Sequence, residues 1–233
     1  MTTTPKNILI IGNSDGIGAA VTKALVQRGD RVVGISKSPS PLGPKGPRHE
    51  IQDVTGHEYP SVLQCLLLEF GHFDAAIYCA GIGSALKLPD LSNEAHVLNV
   101  NLLGMVKTLA ELVPHWLERQ SGHFIGLSSI ADDLYTPDAP SYSASKAAFS
   151  NYLLSMAFKL RGQGIAVSNV RFGFVDTKMA KDEKKPLMMT TEAAVKHILW
   201  CLEKRPMQLT APKLAGAFVR GLRWLESLRV WTT

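Results

Sequence analysis

The chain has 233 residues, 45% hydrophobic and 19% charged, with a mean hydropathy of +0.05 and a formal net charge of +5. That balance excludes an intrinsically disordered chain and a membrane-embedded one, and the length suits a single α/β domain. The basic residues are dispersed and accompany no recognition motif, so the excess charge points to a phosphate-bearing small molecule and not to nucleic acid. Met1 to Lys6 runs straight into an apolar stretch that Gly12 interrupts too soon for a signal peptide or membrane span, and a cytoplasmic location is expected. Cys65, Cys79 and Cys201 form no C-x-x-C pair and are read as reduced, small core residues. The seven histidines, among them His96, His115 and His123, form no metal-binding spacing, and no metal is expected.

In chain order, Asn7 to Ile11, Arg31 to Ser36, Phe73 to Cys79, His123 to Ser128 and Ile165 to Phe172 read as strands, with a further short strand before Asp53. Their nearly continuous apolar runs fit strands covered on both faces. The segments around 17–28, 58–70, 92–118, 140–161 and 191–203 are long enough for crossover helices. The predicted fold is therefore α/β, a doubly wound Rossmann-like parallel sheet with helices on both faces, and residues 1–233 form one domain. Ser38 to Pro47 holds four prolines and two glycines and is read as a surface loop within that domain.

The first strand ends at Gly12, and Asn13, Ser14, Asp15, Gly16, Ile17 and Gly18 lead into a helix with apolar Val21, Leu25 and Val26. Glycine is needed where a turn is tight and where a side chain would keep backbone N–H groups from phosphate. The string alone also suits a flexible turn, but its place between strand and amphipathic helix favours a bound dinucleotide. The second strand ends in Ser36 and Lys37, where a carboxylate would select NAD by bonding its ribose hydroxyls. Ser36 and Lys37, supported by Lys45 or Arg48, instead suit the extra phosphate of NADP, although solvated loop charges would read the same way. Tyr142 and Lys146 are four apart in a helix of small residues and share one face, so the lysine cation is expected to favour the phenolate.

These motifs resemble the short-chain dehydrogenase/reductase family, whose glycine pattern is G-x-x-x-G-x-G and whose reactive pair is Y-x-x-x-K, and the resemblance extends over nearly the whole chain. It implies a NAD(P)-dependent oxidoreductase that interconverts an alcohol and a ketone or aldehyde. Ser129, thirteen residues before Tyr142, matches the family's serine, with Ser128 as its structural neighbour. Asn101 corresponds to the family's asparagine that holds a water in a proton relay, with Asn99 close enough to compete for the assignment. The resemblance makes Lys146 a ligand of the nicotinamide ribose as well. Asp53 and Val54 match an Asp-Val pair at the adenine, Cys79, Ala80 and Gly81 stand at the Asn-Ala-Gly position, and Gly173, Val175 and Thr177 match the stretch bordering the carboxamide.

Ile11, Cys79 and Phe172 replace the family's customary Thr, Asn and Pro and mark a divergent member. Asp15 stands where many NADP users of the family carry a basic residue, so NADP(H) is favoured over NAD(H) only as a preference. The charged segment Lys178 to Pro186 is shorter than many substrate lids and leaves a relatively open site. The expected partners are a small carbonyl or alcohol and further copies in a homodimer or homotetramer. Near residues 213–229, Leu214, Ala217, Phe218, Leu222, Leu225 and Leu228 form an apolar stripe opposite Arg220, Arg223 and Arg229, with Trp224 and Trp231 nearby. It reads first as a core cover, pocket wall or subunit interface, with membrane contact the less favoured reading. A non-catalytic nucleotide-binding regulatory or assembly protein of the same fold is the alternative function, and a dehydratase or isomerase using the same pair is a smaller one.

Overall fold

The computed structural model describes residues 4–180 and 187–232. One parallel sheet of seven strands organises them, in the order β3-β2-β1-β4-β5-β6-β7. The strands are β1 (Asn7–Ile11), β2 (Arg31–Ser36), β3 (Arg48–Ile51), β4 (Ala75–Tyr78), β5 (Gly122–Ser129), β6 (Ile165–Phe172) and β7 (Gln208–Ala211). The helices are α1 (Gly16–Arg28), α2 (Tyr59–Phe70), α3 (Ser92–Leu98), α4 (Gly104–Arg119), α5 (Pro140–Leu160), α6 (Thr191–Lys204) and α7 (Lys213–Thr232). The strand order reverses between β1 and β4, the crevice where open parallel sheets of this kind hold ligands.

The central strands are mostly apolar because both of their faces are covered. Leu9, Ile11, Val33, Ile35, Ala76, Tyr78 and Phe124 pack on one side with Leu63 of α2, Leu109 and Trp116 of α4 and Phe149 of α5. The alternating residues Ile8, Ile10, Val32, Ile77, Ile125 and Val170 pack on the other with Val21 and Leu25 of α1 and Ile198 of α6. The period-two alternation thus builds two cores from one sheet.

Several expectations change. The strand expected over Phe73 to Cys79 shortens to Ala75–Tyr78, and β5 gains Gly122 and Ser129. The edge strand β7 was not expected: its four residues carry too little pattern to be read alone. The single helix expected over 92–118 is interrupted by a π-helical turn, Asn99–Leu103. No helix joins β2 to β3, although the two pair in parallel; the proline-rich segment 37–47 crosses as the irregular loop that its composition predicts. Cys65 lies exposed on α2 and not in the core, whereas Cys201 is buried. The tail also differs. α7 packs through Ala215, Gly216 and Val219, so of the readings of the apolar stripe the core cover does not hold at Leu214, Ala217, Phe218 and Leu225, which face outward. The side chains of Arg229 and Trp231, and residues 181–186 of the short charged segment, lie outside the described residues.

Candidate active site

The turn between β1 and α1 forms because glycine alone fits it at two points. Gly12 has φ +85°, and a Cβ there would stand 2.5 Å from the Ala80 backbone nitrogen. A Cβ on Gly18 would stand 1.9 Å from the Gly12 carbonyl oxygen, so α1 leaves the turn at the closest approach that backbone allows. Asp15 caps α1: its carboxylate accepts the Gly16 N–H at 2.7 Å and pairs at 2.8 Å with Lys178, from the far lip of the crevice. The carboxylate that argued against NADP is therefore paired at the surface with a cation that sequence reasoning did not connect with it. Thr177 stands beside Lys178, its Cγ2 only 3.3 Å from where a Gly16 Cβ would be.

Asn13 is completely buried against Gly34, and neither its amide oxygen nor its amide nitrogen has a hydrogen-bond partner among the described residues. The N–H groups of Ile17 and Gly18, in the first turn of α1, have no intrahelical acceptor. An amide orphaned at both atoms, beside helix N–H groups that favour phosphate, is what a ribose- and phosphate-bearing ligand or its ordered water satisfies. The residues present thus fit a dinucleotide.

At the end of β2, Ser36 is buried and donates to the Ser38 carbonyl at 2.8 Å, while Lys37 is exposed. Arg48 is turned away as a supporting cation: it pairs with Glu50 at 2.5 Å and Glu69 at 3.6 Å. Asp53 accepts from the Thr55 N–H and hydroxyl, both at 2.8 Å. Burial opposes its ionisation, but those two bonds and the charges of Lys37 and His96 outweigh it and hold the carboxyl below its ordinary value. The Val54 side chain belongs to the core, beside Gly104, which leaves only its backbone for a ligand.

Ser129 ends β5, at the strand ends where the crevice opens. Its hydroxyl caps a short 3-10 turn, Ile130–Asp133, by accepting the Ala131 N–H at 3.1 Å, and stands close enough to Tyr142 to bear on its ionisation. Ser128 points the other way, 2.8 Å from the Ser150 hydroxyl, as a structural neighbour. One turn after Tyr142, the Lys146 ammonium donates to the Leu127 carbonyl at 2.9 Å and lies 5.8 Å from the centre of the Tyr142 ring. Asn101 sits in the π-helical turn, whose extra residue directs it inward, and clamps Ile82 by accepting its N–H at 2.8 Å and donating to its carbonyl at 2.9 Å. It also donates to the Ser145 hydroxyl at 2.9 Å. A Cβ on Gly81 would be 3.5 Å from Asn101 Oδ1 and 3.6 Å from Lys146 Nζ, so that glycine keeps open the space between them.

Burial raises the Tyr142 phenol, the neighbouring Ser129 hydroxyl opposes this, and the Asp132 charge adds to it. Lys146 is itself pushed down to about 8 by burial, against the pull of Asp132 and Cys79. Cys79 is raised to about 12 by burial, which makes it an inert thiol.

Asp132 was missed by sequence reasoning. Its carboxylate accepts Arg171 Nε at 2.7 Å and the Ser150 hydroxyl at 2.5 Å, while the Arg171 guanidinium also pairs with Asp133. This buried cluster ties the turn after Ser129 to α5 and β6. The available signal was Arg171 itself, since a cation within a strand covered on both faces requires a carboxylate. Of the carboxamide stretch, Val175 is buried and bridges Met189, Thr177 donates to the Val175 carbonyl at 3.3 Å, and Gly173 lies against Pro212. No group of three or more potential metal ligands occurs among the described residues.

The family model described as short chain dehydrogenase matches residues 6–187. A curated relative, an uncharacterized oxidoreductase of Staphylococcus saprophyticus, is 29% identical over 190 residues, 76% of this chain and 81% of its own length. Among solved structures, a short-chain dehydrogenase from Streptomyces avermitilis superposes with a TM-score of 0.84 at 24% identity, over 97% of this chain and 95% of that one. A short chain dehydrogenase from Burkholderia cenocepacia, solved in complex with NADP, gives 0.81 at 23% identity, over 94% and 92% of the two chains.

Proposed function

Because the chain belongs to the short chain dehydrogenase family, we propose that it interconverts an alcohol and a ketone or aldehyde, with NADP(H) preferred and Ser129, Tyr142 and Lys146 handling the substrate oxygen and its proton. The observation that carries the reading is the placement of Ser129 at the open end of β5 with Lys146 one helical turn after Tyr142, its ammonium 5.8 Å from the centre of the Tyr142 ring. A bound nicotinamide supplies or accepts the hydride. Ser129 donates a hydrogen bond to the substrate oxygen and orients it. Tyr142 gives that oxygen its proton in reduction and removes it in oxidation.

Lys146 and the crevice edge at Gly81 hold the nicotinamide ribose, the Gly12 to Gly18 turn the pyrophosphate, and Asp53 with the Val54 backbone the adenine. Asn101 keeps the Ile82 segment beside Lys146 through its clamp. Preference for NADP(H) is supported by the missing carboxylate at Ser36 and Lys37 and by the pairing of Asp15 with Lys178.

The test is Tyr142→Phe, which retains the ring and removes the proton. Turnover of a carbonyl panel is expected to vanish while NADPH affinity, read by nicotinamide fluorescence, stays within about twofold, because the hydroxyl acts on the substrate and not on the dinucleotide. Undiminished activity would remove Tyr142 from its role. A parent chain that binds NADPH and turns over no carbonyl or alcohol would favour the regulatory reading.

A further inference from the structure

We infer that α7 is a membrane-surface helix whose outward apolar arc, bordered by Lys213 and Arg220, lies in the headgroup region of an anionic bilayer. Helices that serve a core bury their large apolar residues and expose their small ones. α7 does the reverse. It meets the body through Ala215, Val219 and Gly216, where a Cβ would stand 2.5 Å from Thr210 Cγ2. Leu214 and Phe218 remain 76% and 68% exposed, and Leu225 and Trp224 are exposed as well. Positions 214, 218 and 225 are spaced by whole turns and form one stripe, with Ala217 and Trp224 beside it. Single exposed apolar residues are ordinary, but a contiguous strip of this kind marks an interaction surface.

The charges select the partner. Lys213 and Arg220 are exposed along one margin of the stripe. Glu226, the only carboxylate in α7, is turned back to the body, where it accepts the Tyr135 N–H at 3.5 Å. Arg223 is folded over the Tyr135 ring at 3.8 Å. The outward face is thus apolar and purely cationic. Two copies joined through it would set like charges together with no carboxylate to offset them, whereas phosphate headgroups complement both features. Trp224, at the edge of the apolar arc, suits the boundary between headgroup and acyl chain.

α7 lies on the surface and does not span it. Among the described residues, the one segment long and apolar enough to cross a membrane is Ser92–Arg119, whose inner side packs in the core. Twenty residues of α7 measure about 30 Å when laid flat. The Tyr135 contacts fix the helix against the segment that follows Ser129, so docking would hold the molecule in one orientation.

The experiment is co-sedimentation of the full chain with vesicles of phosphatidylcholine, with and without phosphatidylglycerol. The chain is expected to pellet with the anionic vesicles and to be released by high salt. Lys213→Gln/Arg220→Gln should weaken partitioning by about fivefold per charge removed, and Phe218→Ser/Leu225→Ser by about tenfold or more. These side chains are exposed, so thermal melts should match the parent and separate lost binding from lost folding. Absence of sedimentation with anionic vesicles overturns the inference, as does equal binding by the apolar double variant. Dissociation of a parent oligomer by Phe218→Ser/Leu225→Ser, seen by analytical ultracentrifugation without vesicle binding by the parent, would assign the face to subunit contact instead.

Discussion

Asp132→Ala tests the buried cluster behind Ser129. The substitution removes the acceptor of Arg171 Nε at 2.7 Å and of the Ser150 hydroxyl at 2.5 Å, and leaves a guanidinium only 4% exposed. Stripping one partner from a buried ion pair costs about 3–5 kcal/mol, because the remaining charge is neither solvated nor compensated. Asp133 still pairs with Arg171, and its carboxylate is partly solvated, which places the expected loss at the lower end, about 3 kcal/mol. In a chain of this length each kcal/mol moves the melting temperature by roughly 2–4 °C, so a drop of about 6–12 °C is expected. Urea unfolding followed by circular dichroism measures the loss directly. The double variant Asp132→Ala/Arg171→Met removes both charges and should recover to within about 1 kcal/mol of the parent. A single variant that loses less than about 1 kcal/mol, or a double variant no better than the single, refutes the account.

Lys146 sets a pH dependence of stability. Below about 8 it is charged in both the folded and unfolded chain and its burial cost is complete; above 10.5 it is neutral in both. Between these values the unfolded chain binds more protons, so stability rises with pH across that window. Lys146→Met should flatten the rise and gain roughly 3 kcal/mol at neutral pH, less the Leu127 carbonyl bond it abandons; an unchanged pH profile counts against the burial argument. Lys37→Glu should raise the KM for NADPH at least about tenfold and that for NADH far less, by repulsion of the extra phosphate. Equal changes in both would end the case for Lys37 as the selector. Gly18→Ala forces a methyl against the Gly12 carbonyl and should cost about 1–3 kcal/mol together with NADPH binding, since backbone cannot swing aside. A melting temperature within a degree of the parent would contradict that packing.

The strands were legible because both faces of β1 and β2 are covered, and such nearly continuous apolar runs cannot hide in a sequence. β7 was not legible. It is a short edge strand whose Gln208 and Thr210 stay partly solvated, and its pairing with β6 decides its existence. The break at Asn99 escaped for a related reason: the π-helical turn preserves the apolar spacing on either side and is selected by contacts such as the Asn101 clamp on Ile82. The proposed reactive residues Tyr142 and Lys146 were singled out by their spacing on one helix, and Ser129 by the family resemblance. Their electrostatic setting could not be read, since Asp132 and Arg171 are 39 residues apart and only folding brings them together. The same limit applied at Asp15, whose charge argued alone until Lys178 was found across the crevice.

The crossover from β2 to β3 carries a consequence for how this enzyme changes over evolutionary time. A helix in that place would contribute a core face, and every substitution in it would be tested first for folding. Here Lys37 to Pro47 contains no buried residue, and its proline content already restrains the unfolded chain. The segment proposed to bear on the choice between two cofactors is therefore nearly uncoupled from the core that keeps the protein folded. Insertions and charge reversals there are absorbed as surface changes, and redox specificity can drift, or be redesigned, without first drawing on the stability of the sheet.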